Sequence, residues 1–252
     1  MDKLAVIILA AGKGTRMKSD LPKVLHLLAG RPMLLRVIDA VKALSIKPDV
    51  ILVVIGHQAE KVRKVLGRRI KCVVQEDLLG TAHAVMIAKP GLKDFRGTVL
   101  VLCGDTPLIR PETLSHLIRQ HRLEMASASI LTSESENPGS YGRIIRGPEG
   151  RVEKIVEANR ATEAERAVKE WNTGIYCFNS EDLFSALGRV KLDTGKGEYY
   201  LPDVIEIFLR EERKVITVSG ADPGDVIGID TVEKLSEGER IFKRRCDAKE
   251  NR

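Results

Sequence analysis

The chain is poor in cysteine and in aromatic residues. Its four cysteines, Cys72, Cys103, Cys177 and Cys246, are scattered over 252 residues, and no Cys-x-x-Cys pair occurs. That spacing gives neither a zinc site nor a disulfide framework, and it points to a reducing, cytoplasmic setting. Phe, Trp and Tyr make up only 4% of the residues, too few for the stacking platforms that bind single-stranded nucleic acid. The net charge of +6 therefore reads as phosphate handling plus a basic tail, with no nucleic-acid partner. No apolar stretch approaches membrane-spanning length, and no short apolar segment with a cleavage site lies at the N-terminus, so no membrane partner is expected. His-Glu-x-x-His is absent, and His116 and His121 stand too awkwardly on an expected helix to chelate together. No internal repeat or low-complexity linker divides the sequence.

What is present is ordinary for a soluble globular protein: 43% hydrophobic and 30% charged residues, in a chain long enough to bury a substantial core. Apolar runs at Leu4–Leu9, Val50–Ile55, Lys71–Val74 and Thr98–Leu102 read as buried strands. Between them, 3.6-residue periodicity predicts helices over Met33–Leu44, Ala59–Leu66 and Thr81–Lys89, and Pro111–Glu124 follows as another. This alternation predicts an α/β protein with a Rossmann-like, doubly wound, mostly parallel sheet. Turn chemistry fills 133–142, and Arg143–Ile145 with Val152–Val156 reads as an inserted hairpin on the substrate side. Later expectations are a helix near Thr162–Ala167, a strand at Gly174–Phe178, and helices over Ser180–Leu187 and Leu201–Glu211. Strands at Val215–Val218 and Val226–Ile229 and a closing helix over Thr231–Arg245 complete the pattern. One domain over 1–230 is expected, with a nucleotide-binding half (about 1–132) and a sugar-binding half (about 133–230). Residues 231–252 form a C-terminal helix and basic tail.

The most informative stretch is the first loop, L-A-A-G-K-G-T-R over Leu9 to Arg16, with Pro22 and Lys23 following. Small residues at Ala10, Ala11, Gly12 and Gly14 let a ligand approach the backbone and let N–H groups face a cleft. Lys13, Arg16, Lys18 and Lys23 supply four cations within eleven residues, as a nucleoside triphosphate would require. The loop is not a Walker A sequence, and Met17 stands where a dinucleotide fingerprint needs its third glycine. A plain strand-to-helix turn is the simpler reading of Gly12 and Gly14 alone.

Four further sets of residues carry chemistry. Gly104 and Asp105 follow a buried strand, where a carboxylate can reach a cleft and hold Mg2+ alongside phosphates; a turn-capping Asp is the alternative. Gln75 ends a strand with an amide able to donate and accept, and Gly80 and Thr81 open a helix whose free N–H groups suit an anion or a carbonyl. A solvated Gln and an ordinary helix start are the alternatives, and His83 reads as structural. Gly142, Glu157 and Asn172 place groups that can pair with sugar hydroxyls at strand ends, although Glu157 alone reads equally as a surface charge. Asp230 suits the N-cap of the closing helix and could still turn an oxygen to a metal.

Taken together, L-A-A-G-K-G-T-R with P-K-V-L-H, L-G-T-A-H-A, G-D-T-P-L, Y-G-R-I, N-T-G-I-Y and G-E-Y-Y-L-P-D resemble the sugar-1-phosphate nucleotidylyltransferases of the nucleotide-diphospho-sugar transferase fold. Within them the chain is most similar, from Leu4 to about Leu235, to the uridylyltransferase domains of bacterial bifunctional N-acetylglucosamine-1-phosphate uridylyltransferases. The resemblance implies that Leu9, Ala10, Ala11, Gly12, Gln75, Gly80 and Thr81 hold the uracil of UTP, with Gly104 at the nucleotide. It implies that Arg16 and Lys23 act on the triphosphate, that Asp105 and Asp230 bind Mg2+, and that Gly142, Glu157 and Asn172 hold the amino-sugar phosphate. It further implies direct attack on the α-phosphorus, without a covalent enzyme intermediate. Asp230 stands where that family commonly has Asn, Leu78 where it has a polar residue, and Cys103 where it has an aromatic. The hexapeptide repeats of the acetyltransferase half do not occur in the 252 residues, so no acetyl transfer is expected from them. A cytidylyltransferase, a glucose-1-phosphate uridylyltransferase and a non-catalytic nucleotide-sugar sensor are the rival readings. The presence of Lys23 and Asp105 speaks against the sensor.

Overall fold

The computed structural model describes residues 3–250. Leu4–Ala10 forms strand β1, and alternation along it divides the interior in two. Leu4, Val6, Ile8 and Ala10 face one core, and Ala5 and Ile7 face the other. Each fully buried Ile there stabilises the fold by about 1.5–3 kcal/mol relative to an exposed one.

After β1 come a two-strand ribbon of β2 (Leu27–Leu28) and β3 (Arg31–Pro32), helix α1 (Met33–Lys42), β4 (Val50–Ile55), α2 (Ala59–Leu66), β5 (Lys71–Val74), α3 (Thr81–Ala88), β6 (Thr98–Cys103) and α4 (Pro111–Leu123). The second half contributes β7 (Ala128–Glu134), β8 (Arg143–Arg146), β9 (Val152–Val156), α5 (Glu163–Arg166), β10 (Glu170–Asn179), α6 (Ser180–Leu187), α7 (Pro202–Arg210), β11 (Val215–Val218), α8 (Pro223–Val226) and α9 (Val232–Glu250). Residues 251–252 of the expected basic tail lie outside the described residues.

The main sheet runs β11-β7-β10-β6-β1-β4-β5, with the β8–β9 hairpin attached through β10. All neighbours along this path pair in parallel except β10, which runs antiparallel to both β6 and β7. Helices cover both faces. Leu34, Val37, Ile38 and Val41 of α1 and Leu114, Leu117 and Ile118 of α4 pack on one. Ala82 and Val85 of α3, Leu183 of α6 and Val204 and Phe208 of α7 pack on the other. The spacing of these side chains at three and four residues is what makes the segments helical and one-sided. A smaller cluster of Leu28, Met33, Leu108 and Ile229 docks α9 through Leu235, Ile241 and Phe242.

This is the α/β, mostly parallel architecture expected, with three differences. Strand β7 was not expected, because its buried residues include Ser129, Thr132 and Ser133, which break the apolar run. Two of them find remote partners, Ser133 Oγ donating to the carbonyl of Ala221 at 2.7 Å and Ser129 Oγ pairing with His121 Nδ1 at 2.8 Å, whereas Thr132 Oγ1 is buried without a hydrogen-bond partner. Strand β10 begins at Glu170 rather than Gly174, and its register on β7 shifts between Asn172 and Tyr176. No strand forms at Val226–Ile229. Pro223–Val226 is instead a helical turn, started by proline and capped by Asp222, whose side chain accepts from the Gly224 N–H at 2.8 Å.

His121 adds a pH dependence to this packing. Burial, with Arg122 adding to it, pushes its pKa down to about 4, so the ring enters the core neutral. The unfolded chain takes up the proton near pH 6.5 and the folded chain does not. Stability should therefore be intact above about pH 6.5 and fall toward pH 4 by up to about 1.4 kcal/mol per unit from this group. Urea midpoints at pH 7.5 and pH 5 should separate more in the wild type than in His121→Gln. Equal separations would remove His121 as the cause.

Candidate active site

The chain winds outward from β1 through β4 to β5, then returns to lay β6 on the other side of β1. A crevice at the carboxyl ends of strands flanking such a switch point is where α/β sheets bind ligands. A cleft of about 520 Å³ opens there, lined by Leu9, Ala10, Ala11, Gly12, Lys23, Gln75, Gly80, Thr81 and Asp105, together with Leu78, Cys103 and Glu198. A larger cavity of about 690 Å³, between the 135–141 segment, α8 and α9, contains neither the glycine loop nor Asp105.

Two glycines shape the cleft for identifiable reasons. Gly14 has φ +65°, and a Cβ there would lie 2.4 Å from the Cβ of Lys23, so its absence lets the first loop fold back over that lysine. Gly80 has φ +93°, and its Cβ would collide with the backbone of Tyr199 at 2.6 Å. At Gly12, by contrast, an added Cβ would meet no atom within 4 Å, which leaves backbone bare toward the cleft. Gly104 does not line it. Its N–H donates to the carbonyl of Leu9 at 2.8 Å, and a Cβ would press on Leu34 at 3.1 Å. Its place is in the packing of β6 on β1.

Lys23 Nζ lies 2.5 Å from Asp105 Oδ2. Burial alone would lower the pKa of this ammonium, but the adjacent Asp105 carboxylate outweighs it and the pKa is raised, so Lys23 stays charged. Arg16 reaches across to Asp230 Oδ2 at 2.8 Å. Asp230 Oδ1 is buried and lies 3.1 Å from Lys234 Nζ, but no donor is aligned on it. Asp105 and Asp230 are held near one another because the Ile229 N–H donates to the Asp105 carbonyl at 2.7 Å. Asp230 is not the helix cap. Thr231 fills that place, its Oγ1 accepting from the Lys234 N–H at 3.2 Å, which leaves the Asp230 carboxylate turned toward Arg16. Lys234 was not foreseen; its spacing of four residues from Asp230 on α9 is the one signal that could have found it.

Gln75 is only 3% exposed. Its Nε2 donates to the carbonyl of Gly80 at 3.1 Å and to His83 Nδ1 at 3.0 Å. The Gly80 carbonyl can only accept, so the amide orientation is fixed by chemistry. Both donor hydrogens are then engaged, which leaves Oε1 as the remaining polar atom of the amide. His83 supports Gln75. Thr81 Oγ1 accepts from the Leu201 N–H at 2.9 Å, tying the start of α3 to the 198–201 segment.

Gly142, Glu157 and Asn172 come together on the β8–β9–β10 side. The Asn172 N–H donates to the carbonyl of Gly142 at 2.9 Å, and a Cβ on Gly142 would lie 3.5 Å from Glu157 Oε1. Asn172 Nδ2 donates to the Tyr176 hydroxyl at 2.6 Å, and its Oδ1 accepts from the Gly174 N–H at 3.1 Å. Burial raises the pKa of Glu157, with Lys196 and Arg160 opposing. Tyr141 joins this wall to the carboxylates: it packs on Trp171 at 4.2 Å, and its hydroxyl accepts from the Gly228 N–H at 2.7 Å. Cys103 has part of its surface in the cleft, yet burial and then Asp105 push its thiol up to about 12.

A glycine loop rich in cations, facing two carboxylates at the switch point of a doubly wound sheet, defines an α/β enzyme built for nucleotide phosphates. The chain belongs to the nucleotidyl transferase family, whose model matches residues 5–225. It is 46% identical over 247 residues to the "Bifunctional protein GlmU" of Halalkalibacterium halodurans, covering 98% of this chain and 54% of that protein. The protein of the same name from Pelotomaculum thermopropionicum is 48% identical over 242 residues, covering 96% and 52%. The chain thus spans about half the length of the curated relatives it matches. In fold it is similar to a provisionally assigned glucose-1-phosphate thymidylyltransferase of Bacillus anthracis, crystallised with sucrose. That TM-score is 0.73 at 17% identity, covering 94% of each chain.

Nucleotidyl transferases of this family generally use a divalent metal. Among the described residues no group of three or more His, Cys, Asp or Glu side chains could hold one. The carboxylates of Asp105 and Asp230 nevertheless fit a hard cation that takes one or two carboxylates and completes its shell with phosphates and water. The buried Asp230 Oδ1, with no donor aligned on it, is the oxygen such a cation would satisfy. Among the described residues, no helix is long and apolar enough to cross a membrane.

Proposed function

We propose that the chain transfers a uridylyl group from UTP to N-acetylglucosamine 1-phosphate in the presence of Mg2+, releasing pyrophosphate. A phosphate oxygen of the sugar 1-phosphate forms the new bond to the α-phosphorus. The α–β phosphoanhydride bond breaks, and pyrophosphate leaves with the electron pair. Lys23 and Arg16 stabilise the charge developing on the transferring phosphoryl group and the leaving pyrophosphate. The bare backbone of Leu9 to Gly12 and the start of α3 at Gly80 and Thr81 hold the base. Gly142, Glu157 and Asn172 position the sugar phosphate, so much of the rate comes from alignment. Asp105 and Asp230 would hold Mg2+, which supplies Lewis-acid polarisation and a template for the phosphates when bound.

The observation that carries the base assignment is Gln75. With both amide hydrogens directed to Gly80 and His83, Oε1 can accept from the imide N3–H of uracil. Cytosine presents a bare N3 acceptor at that position and would set two lone pairs face to face. This favours UTP over CTP and speaks against the cytidylyltransferase reading. Pyrophosphate release should be measured for four nucleoside triphosphates, with dTTP added, against N-acetylglucosamine, glucosamine and glucose 1-phosphates. UTP with the N-acetylated sugar is the expected best pair, and a preference for CTP would overturn the assignment.

Gln75→Glu sharpens the test. A carboxylate cannot donate to the Gly80 carbonyl or to His83 Nδ1, so the side chain should turn away and the imide acceptor should be lost. A fall in kcat/KM for UTP of about tenfold to a hundredfold is expected, from one to two lost hydrogen bonds in a buried site. Wild-type kcat/KM would move base readout to the Ala10–Gly12 backbone.

A further inference from the structure

We infer that Asp105 and Asp230 hold Lys23 and Arg16 as internal counter-ions until metal and triphosphate bind together, when both cations exchange from carboxylate to phosphate. This rests on the reading above of the two carboxylates as metal ligands. Each carboxylate has a cation at contact distance: Lys23 on Asp105 at 2.5 Å, and Arg16 on Asp230 at 2.8 Å. Lys234 stands 3.1 Å from the second oxygen of Asp230. Three side-chain cations therefore face two carboxylates.

That arrangement disfavours either ligand alone. A magnesium ion sits about 2.0–2.1 Å from its carboxylate oxygens, where Lys23 and Arg16 now place their N–H groups. Entering alone, it would meet those cations at close range or force them into the cleft without a partner. A triphosphate alone could recruit Lys13 and Lys18 from the exposed loop. To reach Lys23 and Arg16 it must strip them from Asp105 and Asp230, leaving carboxylates facing phosphate oxygens. When both arrive, the metal takes the carboxylates and the released cations take the phosphates, so no charge is left unmatched.

The geometry suits such a transfer. Arg16 has 62% of its side chain exposed and sits in a 3-10 turn over Thr15–Met17 between left-handed Gly14 and Lys18. The loop is anchored from within by Met17, which is 2% exposed, so Arg16 can reorient about its own bonds while the backbone stays fixed. Lys23 lines the same cleft as Asp105 and the glycine loop, and a turn about its terminal bonds suffices.

The consequence is positive coupling between metal and nucleotide, beyond their association in solution and equal in both directions. Binding of Mn2+, an oxygen-seeking spin probe in place of Mg2+, should be followed by electron paramagnetic resonance on the full chain without nucleotide. Lys23→Gln and Arg16→Gln should each bind Mn2+ about tenfold more tightly than the wild type, because a competing cation is gone. Both should bind UTP more weakly in EDTA, followed by calorimetry. Arg16 is exposed, so its variant keeps the test open if Lys23→Gln folds poorly. Unchanged or weaker Mn2+ binding in both variants would overturn the exchange. Asp105→Asn, measured with an α,β-methylene analogue of UTP present, separates the two ideas. If it loses Mn2+ while the cation variants show no gain, the exchange alone falls. If it keeps wild-type Mn2+ affinity, the metal assignment itself fails and the exchange falls with it.

Discussion

Lys23→Ala should lower kcat by about a hundredfold or more, the loss of about 3 kcal/mol that follows removal of a preorganised contact to transition-state charge. Lys23 is placed for this by three local features. Pro22 leads into the turn that carries it, Gly14 permits the first loop to fold against its Cβ, and Asp105 holds its Nζ at the cleft. The fold should survive, because Lys23 and Asp105 face the cleft with 20% and 14% of their side chains exposed, and water can reach the orphaned carboxylate. Circular dichroism and the thermal midpoint should stay close to wild type while steady-state turnover at saturating UTP and Mg2+ collapses. Lys23→Arg should recover part of the rate, since it restores the charge but not the compact ammonium. A near-normal kcat in Lys23→Ala would take the residue out of the chemistry.

The elements bearing these groups were legible where burial is local. Strand β1 and helix α1 declare themselves because their own residues are apolar at the period of a strand or a helix. Strand β7 did not. Its Ser129 and Ser133 are accommodated in the core by His121 and the carbonyl of Ala221, partners that lie elsewhere in the sequence, and Thr132 is buried beside them with no hydrogen-bond partner on Oγ1. The strand expected at Val226–Ile229 fails for the opposite reason: Val226, Ile227 and Ile229 are apolar, while the Asp222 cap and the proline after it set a helical turn that takes in Val226.

The candidate site follows the same division. Residue types and their order point to the glycine loop, Gln75 and the two aspartates, because small residues, an amide and carboxylates each have narrow chemical uses. Pairing is another matter. Lys23 meets Asp105 and Arg16 meets Asp230 across separations that no local pattern encodes. The direction of the Gln75 amide depends on a carbonyl at Gly80, although five residues of sequence cannot show which way it turns. The helix cap moved by a single residue, from Asp230 to Thr231, and that shift changes what Asp230 is free to do.

Asp230 is therefore the residue whose substitution separates structure from chemistry most cleanly. Since Thr231 caps α9, Asp230→Ala should leave the helix and the thermal midpoint nearly unchanged. Thr231→Ala should lose about 1 kcal/mol of stability through the missing cap while keeping most of its turnover. The rates should invert this order. Without the Asp230 carboxylate, Mg2+ would lose one of the two charged oxygen ligands proposed for it, and Arg16 and Lys234 lose their counter-ion, so Asp230→Ala should lose on the order of a hundredfold in kcat. Asp230→Asn should fall between, because an amide oxygen still binds a hard cation but carries no charge. Its activity should return in part at raised Mg2+, with the half-saturating concentration increased by about tenfold. Magnesium titrations of the three variants, with thermal melts alongside, give the full comparison. Normal turnover of Asp230→Ala at limiting Mg2+ would mean that this carboxylate serves only to hold Arg16 and Lys234, and that Asp105 binds the metal without it.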